Sequence, residues 1–226
     1  MTGEIDGGTA PSTVVFYVGE VLIDETRLWT LWAALVGVSP TTFAAVLGAA
    51  VIQGETADAV FSHLVPNIEW RELEGEHERR YGGFQEQDLY PDVRPCLDEL
   101  TAAGFRIAIA GNQPARRHEQ LAALELPCDA LSTSEELGAE KPDPAFFTAV
   151  LALAGVDDPA QVLYVGDRTD NDVAPAAAAG MRTCWLRRGP WGQLQDLPDE
   201  AAEPDLVLEG LGELPTLLEA WRESEA

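Results

Sequence analysis

The sequence has little lysine, little cysteine and no long apolar run. Its 226 residues contain 39 acidic residues against 14 basic ones, which gives this acidic protein a formal net charge of −25 at pH 7. Such a surface repels nucleic-acid phosphates and anionic lipid headgroups, so we expect no nucleic acid and no membrane as a partner. The longest run of apolar residues and glycine, Phe43 to Ile52, is too short to span a bilayer.

The cysteines and the first residues bear on location. Cys96, Cys128 and Cys184 are far apart and form no C-x-x-C pair. This usage is typical of a reducing compartment, so we expect a cytoplasmic protein. The first twelve residues lack the basic and apolar segments of a signal peptide, and we expect none.

Lysine is the scarcest charged residue. The chain has thirteen arginines but one lysine, Lys141. A single lysine among arginines marks a place where a compact ammonium is needed and a planar guanidinium does not fit. The alternative is that an arginine-rich composition left one lysine by chance, and composition alone does not decide.

Apolar periodicity divides the chain into an α/β core and a helical insertion. Alternation of strands and helices indicates βαβ units and a parallel sheet covered on both faces. We predict a doubly wound, Rossmann-like core at residues 1–25 and 91–226, with an all-helical insertion at 26–90. The predicted strands are 13–18, 105–110, 128–132, 161–165, 182–186 and 205–208. The predicted helices of the core are 92–103, 114–124, 144–154 and 172–179.

Three aspartates lie within six residues directly after the strand at 161–165. Carboxylates this close, Asp167, Asp170 and Asp172, repel each other unless a cation lies between them, and hard oxygen ligands suit magnesium. The carboxyl ends of strands are also where open α/β sheets bind ligands. The alternative is that Asp172 caps the next helix and Asp170 is solvated, which leaves Asp167 pointing into the crevice.

Four segments in this order resemble the motifs of the haloacid dehalogenase-like (HAD) hydrolases: VVFYVGEVL, IAIAGNQPA, EKPDPAFF and VLYVGDRTDNDVAPAAAAGM. The helical insertion resembles the C1-type cap of that family. The resemblance implies a first-motif aspartate nucleophile, a second aspartate as general acid/base, and a second-motif serine or threonine that holds the substrate anion. It also implies a third-motif lysine and fourth-motif aspartates that hold magnesium.

Matched residue by residue, this chain departs from the family in the first two motifs. The nucleophile position is Tyr17, the acid/base position is Gly19, and the serine/threonine position is Gly111. A phenol has a pKa near 10, so about one molecule in a thousand is ionised at pH 7. We expect Lys141 to lower that pKa, and the ring to project into the space of the phosphoryl group.

The third and fourth motifs are intact. Lys141 matches the third, so we expect it to contact an anionic ligand; the alternative is an internal salt bridge to Asp167. Asp167 and Asp172 match the fourth as magnesium ligands, but loss of the first-motif carboxylate weakens the expected magnesium binding. The predicted catalytic residues are Tyr17, Lys141 and Asp167. The predicted substrate-binding residues are Gly19, Gly111, Asn112 and Lys141, with helix capping as the alternative for Asn112.

Three interpretations follow from this noncanonical site. In the first, which we favour, Tyr17 plugs the phosphoryl site and the chain is a pseudoenzyme that binds a small anionic metabolite or a protein partner. In the second, a repurposed enzyme acts on a small anionic metabolite: Tyr17 is the acid/base group, Lys141 stabilises an oxyanion, and Asp167 orients that lysine. In the third, Glu20 or Asp24 rescues a weak magnesium-dependent phosphatase.

Overall fold

A six-stranded parallel sheet forms the centre of the computed structural model, which describes residues 9–199 and 201–224. The strands run in the order β3-β2-β1-β4-β5-β6, so the chain reverses direction across the sheet between β1 and β4. Ligands of open α/β sheets bind at such a reversal. The predicted fold class and all six strands are confirmed. The strands are β1 (Thr13–Phe16), β2 (Arg106–Gly111), β3 (Ala130–Thr133), β4 (Val162–Gly166), β5 (Arg182–Leu186) and β6 (Leu206–Leu208).

The segment between β1 and β2 is helical, as predicted. Its apolar cluster is separate from the sheet and includes Trp32 and Phe43, which each contact Phe61 edge to face. The helices are α1 (Thr26–Leu35), α2 (Pro40–Ile52), α3 (Ala59–Leu64) and α4 (Glu74–Tyr81). Within the described ranges, no single helix is long and apolar enough to cross a membrane; α1 and α2 reach that length and composition only together, across a 110° bend.

Helices cover the sheet in the rest of the chain. They are α5 (Val93–Ala102), α6 (Arg116–Ala122), α7 (Ser134–Leu137), α8 (Pro144–Ala154), α9 (Ala174–Ala178), α10 (Gly189–Leu194) and α11 (Leu214–Ser224). The sequence analysis did not predict α7, α10 and α11. The exact limits of core and cap stay a prediction, and residues 1–8, 200 and 225–226 of the predicted core lie outside the described residues.

The predicted helix at 172–179 is wrong in its first turn. A π-helical turn over Thr169–Val173 precedes α9. Asp172 lies in this wide turn, is fully buried, and accepts a hydrogen bond from the Arg168 backbone N–H at 3.0 Å. The turn therefore directs a carboxylate inward, toward the ends of β1 and β4, rather than onto the N-terminus of a helix.

Burial explains the apolar run of β1. Val14 and Phe16 lie in the cluster on one face of the sheet, and Val15 lies in the cluster on the other. All three are fully buried, so both faces of the strand are covered and no alternation of polar residues is needed. The strand holds the next residue, Tyr17, at the centre of the sheet edge.

Candidate active site

The ends of three adjacent strands bring the predicted site residues together. Tyr17 follows β1, Gly111 ends β2, and Asp167 follows β4. The Tyr17 backbone N–H donates to the Val165 carbonyl at 3.0 Å, which continues the pairing of β1 with β4. Lys141 reaches the same edge from the loop between α7 and α8.

Lys141 forms a buried ion pair with Asp172. Both side chains have no exposed surface, and the Lys141 Nζ atom contacts Asp172 Oδ1. The sequence analysis considered an internal salt bridge to Asp167, but the partner is Asp172. Burial lowers the pKa of Lys141, and the Asp172 carboxylate opposes that shift. The ammonium is therefore neutralised inside the protein rather than free to meet an anion.

Asn112 holds the backbone of Lys141 in place. Its amide Nδ2 donates to the Lys141 carbonyl at 2.9 Å, and its Oδ1 accepts from the Lys141 N–H at 2.7 Å. The capping alternative for Asn112 is wrong, because α6 begins at Arg116 and has no side-chain cap. With both ends of its amide engaged, Asn112 supports the lysine.

The Tyr17 ring stacks on the Lys141 ammonium and takes the space of a side chain at residue 111. The Nζ atom lies 3.3 Å from the ring centroid. A Cβ atom on Gly111 would lie 2.6 Å from Tyr17 Cδ2, far inside van der Waals contact. A serine or threonine hydroxyl at 111 is thus incompatible with this position of the ring.

The Tyr17 phenol remains protonated at neutral pH. Burial raises its pKa well above the ordinary value, and the carboxyl groups of Glu25, Asp167 and Asp172 raise it further. The expectation that Lys141 lowers this pKa is wrong: the ammonium lies over the ring face while the hydroxyl is near carboxyl groups. Tyr17 can donate a hydrogen bond but is a poor nucleophile and a poor base.

Glu25 fills the space of the missing acid/base side chain, and sequence reasoning missed it. A Cβ atom on Gly19 would lie 2.5 Å from Glu25 Oε1 and 3.3 Å from the Tyr17 hydroxyl. Glu25 precedes α1 but makes no side-chain cap bond, and a bridge between Gly19 and Ile23 folds the chain back over the strand end. Burial, and then the charge of Glu20, raises the pKa of Glu25 to about 8.

Glu20 and Asp24 are the carboxylates that a weak phosphatase would use in place of the missing nucleophile. Both form hydrogen bonds within the protein. Glu20 is buried and accepts a hydrogen bond from the Tyr90 hydroxyl at 2.5 Å. Burial raises the pKa of Glu20 to about 7. Asp24 Oδ1 accepts from the Thr26 N–H at 2.8 Å, at the start of α1. Both side chains thus have structural roles in the loop after β1.

Asp167 carries an unpartnered oxygen and lines a small cavity. Its side chain is 1% exposed, and Asp167 Oδ1 has no hydrogen-bond partner among the described residues. Burial and the nearby Asp172 raise its pKa well above the ordinary value. The cavity measures about 180 Å³ and is lined by Tyr17, Glu25, Trp29, Asp167, Arg168 and Trp191, among others.

The arrangement of oxygen donors does not fit magnesium. Asp172 has one oxygen against Lys141 and the other on the Arg168 N–H, and Tyr17 brings no carboxylate. Of the predicted magnesium ligands only Asp167 is left, whereas magnesium demands near-octahedral oxygen ligands. Across residues 9–199 and 201–224, no three histidine, cysteine, aspartate or glutamate side chains are grouped so that they could hold a metal ion.

Fold and site together define a parallel α/β protein with its functional edge at the ends of β1, β2 and β4. A family model described as haloacid dehalogenase-like hydrolase matches residues 14–180. This match covers most of the chain, which therefore belongs to the haloacid dehalogenase-like hydrolases. The resemblance recognised from the four motifs is confirmed, while the roles matched to individual residues stay predictions.

Curated relatives and solved structures agree with the family. The chain is 36% identical over 134 residues to a glyceraldehyde 3-phosphate phosphatase of Methanopyrus kandleri, covering 55% of this chain and 57% of that protein. It is 36% identical over 144 residues to a ribulose-1,5-bisphosphate 5-phosphatase of Halopiger xanaduensis, covering 60% and 59%. The chain thus spans less than two thirds of the length of these relatives.

Two solved structures share the fold. YfnB of Bacillus subtilis, assigned to the HAD hydrolases and solved with bound magnesium, has a TM-score of 0.75 at 20% identity, covering 93% of this chain and 99% of that one. The L-2-haloacid dehalogenase of Xanthobacter autotrophicus has a TM-score of 0.62 at 20% identity, covering 92% and 98%. At this identity the likeness concerns the fold.

Proposed function

We propose that this HAD-family chain is a ligand-binding pseudoenzyme rather than a working phosphatase. The observation that carries the proposal is the Tyr17 ring, which stacks on Lys141 and fills the side-chain space at Gly111. An aspartyl nucleophile attacks as an ionised carboxylate, whereas the buried Tyr17 phenol keeps its proton. The groups that the family resemblance assigns to attack and to anion binding are therefore both replaced by one aromatic ring.

The names of the curated relatives favour phosphatase activity, so the proposal needs a direct test. Turnover of para-nitrophenyl phosphate, glyceraldehyde 3-phosphate and phosphoglycolate is measured with magnesium. We expect no phosphate release above that of Asp167→Asn, an isosteric variant that lacks the predicted metal ligand. Magnesium-dependent release that Asp167→Asn abolishes contradicts the proposal.

A second candidate is a repurposed enzyme. The observation that favours it is that Glu25 Oε1 and the Tyr17 hydroxyl both lie close to the position that a Cβ atom on Gly19 would occupy. In this case the protonated Tyr17 hydroxyl donates a hydrogen bond to the substrate, and Glu25, whose pKa is about 8, transfers the proton. Tyr17→Phe, which keeps the ring and removes the hydroxyl, separates the candidates: it abolishes turnover in a repurposed enzyme and leaves binding by a pseudoenzyme largely intact.

Location and partners complete the proposal. A reducing cytoplasm is supported by three free cysteines, of which Cys96 and Cys184 are buried. The charge of −25 supports the prediction of no nucleic acid and no membrane. The prediction of a small anionic metabolite depended on a free Lys141, and the ion pair with Asp172 removes that basis. A protein partner stays a prediction.

A further inference from the structure

Charged residues are missing from one long stretch of this acidic chain. Residues 28–54 contain no aspartate, glutamate, lysine or arginine. Charged residues make up 23% of the sequence, so a stretch of this length would ordinarily carry about six of them. The stretch forms most of α1 and all of α2. In a chain with a net charge of −25, these helices therefore present a surface without carboxylates.

The fold places a second uncharged segment beside this one. Residues 189–195, which form α10 and the residue after it, also lack charged side chains. A Cβ atom on Gly48, in α2, would lie 3.2 Å from Leu194 Cδ1. Trp191 is buried in the apolar cluster of the helical insertion, and its ring centroid lies 6.2 Å from that of Trp29. Two segments that are far apart in the sequence thus form one uncharged surface.

Helix α2 is apolar on its outer side as well as on its inner side. The inner side packs into the cluster of the helical insertion through Phe43 and Leu47. The other side, which we call the outer face, consists of Thr41, Ala45, Gly48, Ala49 and Ile52, with Leu194 of α10 beside Gly48. Ile52 is 67% exposed and Leu194 is 41% exposed. A helix that is apolar all round is typically covered on both sides, and an exposed apolar patch marks an interaction surface.

The charge of the chain favours one occupant for the outer face. Two copies with a net charge of −25 each repel one another wherever their carboxylates meet, so they associate only through a surface without them. The outer face meets this condition against itself, because neither copy then buries an unpaired charge. A basic partner would be attracted to the acidic surface elsewhere, and an anionic bilayer would be repelled. The occupant that this charge distribution favours is a second copy of the chain.

We propose that two copies of this chain associate about a two-fold axis through their outer faces, with α2 of one copy against α2 of the other. The small residues Ala45, Gly48 and Ala49 allow the two helices to approach closely, and Ile52 and Leu194 supply apolar contact area. This inference goes beyond the proposed function and does not depend on whether the site at the sheet edge is catalytic.

The size of the outer face sets the expected affinity. A face built on one helix of 13 residues, about 20 Å long, offers less than the roughly 800 Å² per partner of a standard interface. We therefore expect a weak dimer, with a dissociation constant of about 10–100 µM.

Sedimentation velocity of the full chain up to about 500 µM, in about 50 mM and about 500 mM sodium chloride, tests the association. We expect a species of twice the mass of one chain. Its dissociation constant should be at least about fivefold lower at the higher salt concentration, because salt screens the repulsion between two acidic copies. A chain that stays monomeric at about 500 µM in high salt overturns the proposal, and so does a dimer that salt dissociates.

Ala49→Asp and Ile52→Asp test which surface is used. Each places a carboxylate on the outer face, and a two-fold dimer brings two such carboxylates together, so the dissociation constant should rise at least about tenfold. Both residues are exposed, and circular dichroism checks that the variants fold. Val207→Asp is the matched control, since it makes the same change in charge at a 40% exposed residue of β6, and it should leave the dissociation constant unchanged. Equal effects of all three variants, or no effect of the two outer-face variants, overturn the proposal.

A neutral lipid surface is the other occupant to be tested. Flotation with phosphatidylcholine vesicles is compared for the unsubstituted chain and for Ile52→Asp. We expect neither protein to float with the vesicles. Binding of the unsubstituted chain that Ile52→Asp abolishes would assign the outer face to lipid and overturn the proposal.

Discussion

The ring of Tyr17 lies where the side chain of residue 111 would lie if that residue were not glycine. A Cβ atom at Gly111 would be 2.6 Å from Tyr17 Cδ2 and 2.7 Å from Cε2. Glu25 occupies the side-chain space at Gly19 in the same way. A Cβ atom on Gly19 would lie 2.5 Å from Glu25 Oε1. The departures from the family motifs are therefore one packed unit, in which each glycine makes room for a larger side chain.

This packing predicts an energetic coupling between residues 17 and 111. Gly111→Ser should lower the free energy of unfolding by about 1–3 kcal/mol, because the new side chain overlaps the Tyr17 ring. In a Tyr17→Ala background the same substitution should cost much less, since the ring is absent. Urea denaturation of the four proteins gives the coupling energy. Additive effects of the two substitutions would show that the ring and residue 111 do not compete for space.

The packing of Tyr17 against Gly111 and of Glu25 against Gly19 also predicts that an aspartate at position 17 alone does not create a phosphatase. Tyr17→Asp leaves Glu25 in the space of the acid/base group and no hydroxyl at 111. We expect magnesium-dependent phosphate release only when Tyr17→Asp is combined with Gly19→Asp, Glu25→Ala and Gly111→Ser. Release of phosphate from para-nitrophenyl phosphate by the single and combined variants is the measurement. Equal turnover by the single and combined variants would mean that only the nucleophile is missing.

The buried carboxyl groups predict a pH dependence of stability. Glu25 and Glu20 have pKa values raised from 4.5 to about 8 and about 7. In the unfolded chain they lose their protons near pH 4.5, whereas the folded protein keeps them until pH 7–8. The folded state therefore binds more protons between about pH 5 and 8, and the free energy of unfolding should fall as the pH rises through that range.

Glu25→Gln removes one of these titrations and should make the fall between pH 5 and 8 shallower. Glu119→Gln, which is exposed, should leave the slope unchanged. Chemical denaturation at several pH values measures the slope for the three proteins. An identical slope in Glu25→Gln and the unsubstituted protein would show that Glu25 titrates normally.

The Lys141–Asp172 ion pair predicts a further effect on stability. Lys141→Met leaves a fully buried carboxylate without its cation, and we expect a loss of about 3–5 kcal/mol in the free energy of unfolding. Adding Asp172→Asn to Lys141→Met removes the uncompensated charge and should recover part of that loss. Denaturation of the two single variants and the double variant measures the recovery. No recovery in the double variant would argue against a charge pair at this position.

Sequence reasoning predicted the sheet well because its central strands, Thr13–Phe16 and Val162–Gly166, are fully buried and mostly apolar. The helix at Pro144–Ala154 and the strand at Arg182–Leu186 begin and end where they were predicted. The turn before α9 was misjudged, because the inward position of Asp172 depends on its tertiary partner Lys141. Local capping preferences do not contain that information.

The site was only partly predictable for a related reason. Tyr17, Gly111, Lys141 and Asp167 meet at one sheet edge, as expected from their places after strands and in the third motif. Glu25 was missed because it lies six residues beyond Gly19, and only the folded loop returns its carboxyl group to the strand end. The choice of Asp172 rather than Asp167 as partner of Lys141 likewise depends on three-dimensional packing.

The most direct test of the central claim is a search for a phosphorylated enzyme. The full chain is incubated with magnesium and acetyl phosphate or phosphoglycolate, quenched in acid, and examined by intact-protein mass spectrometry with and without hydroxylamine. The account predicts an unmodified mass and no more released phosphate than a sample without protein, because Tyr17 replaces the carboxylate that would attack phosphorus. A phosphoryl adduct that hydroxylamine removes, the sign of an acyl phosphate, would contradict it.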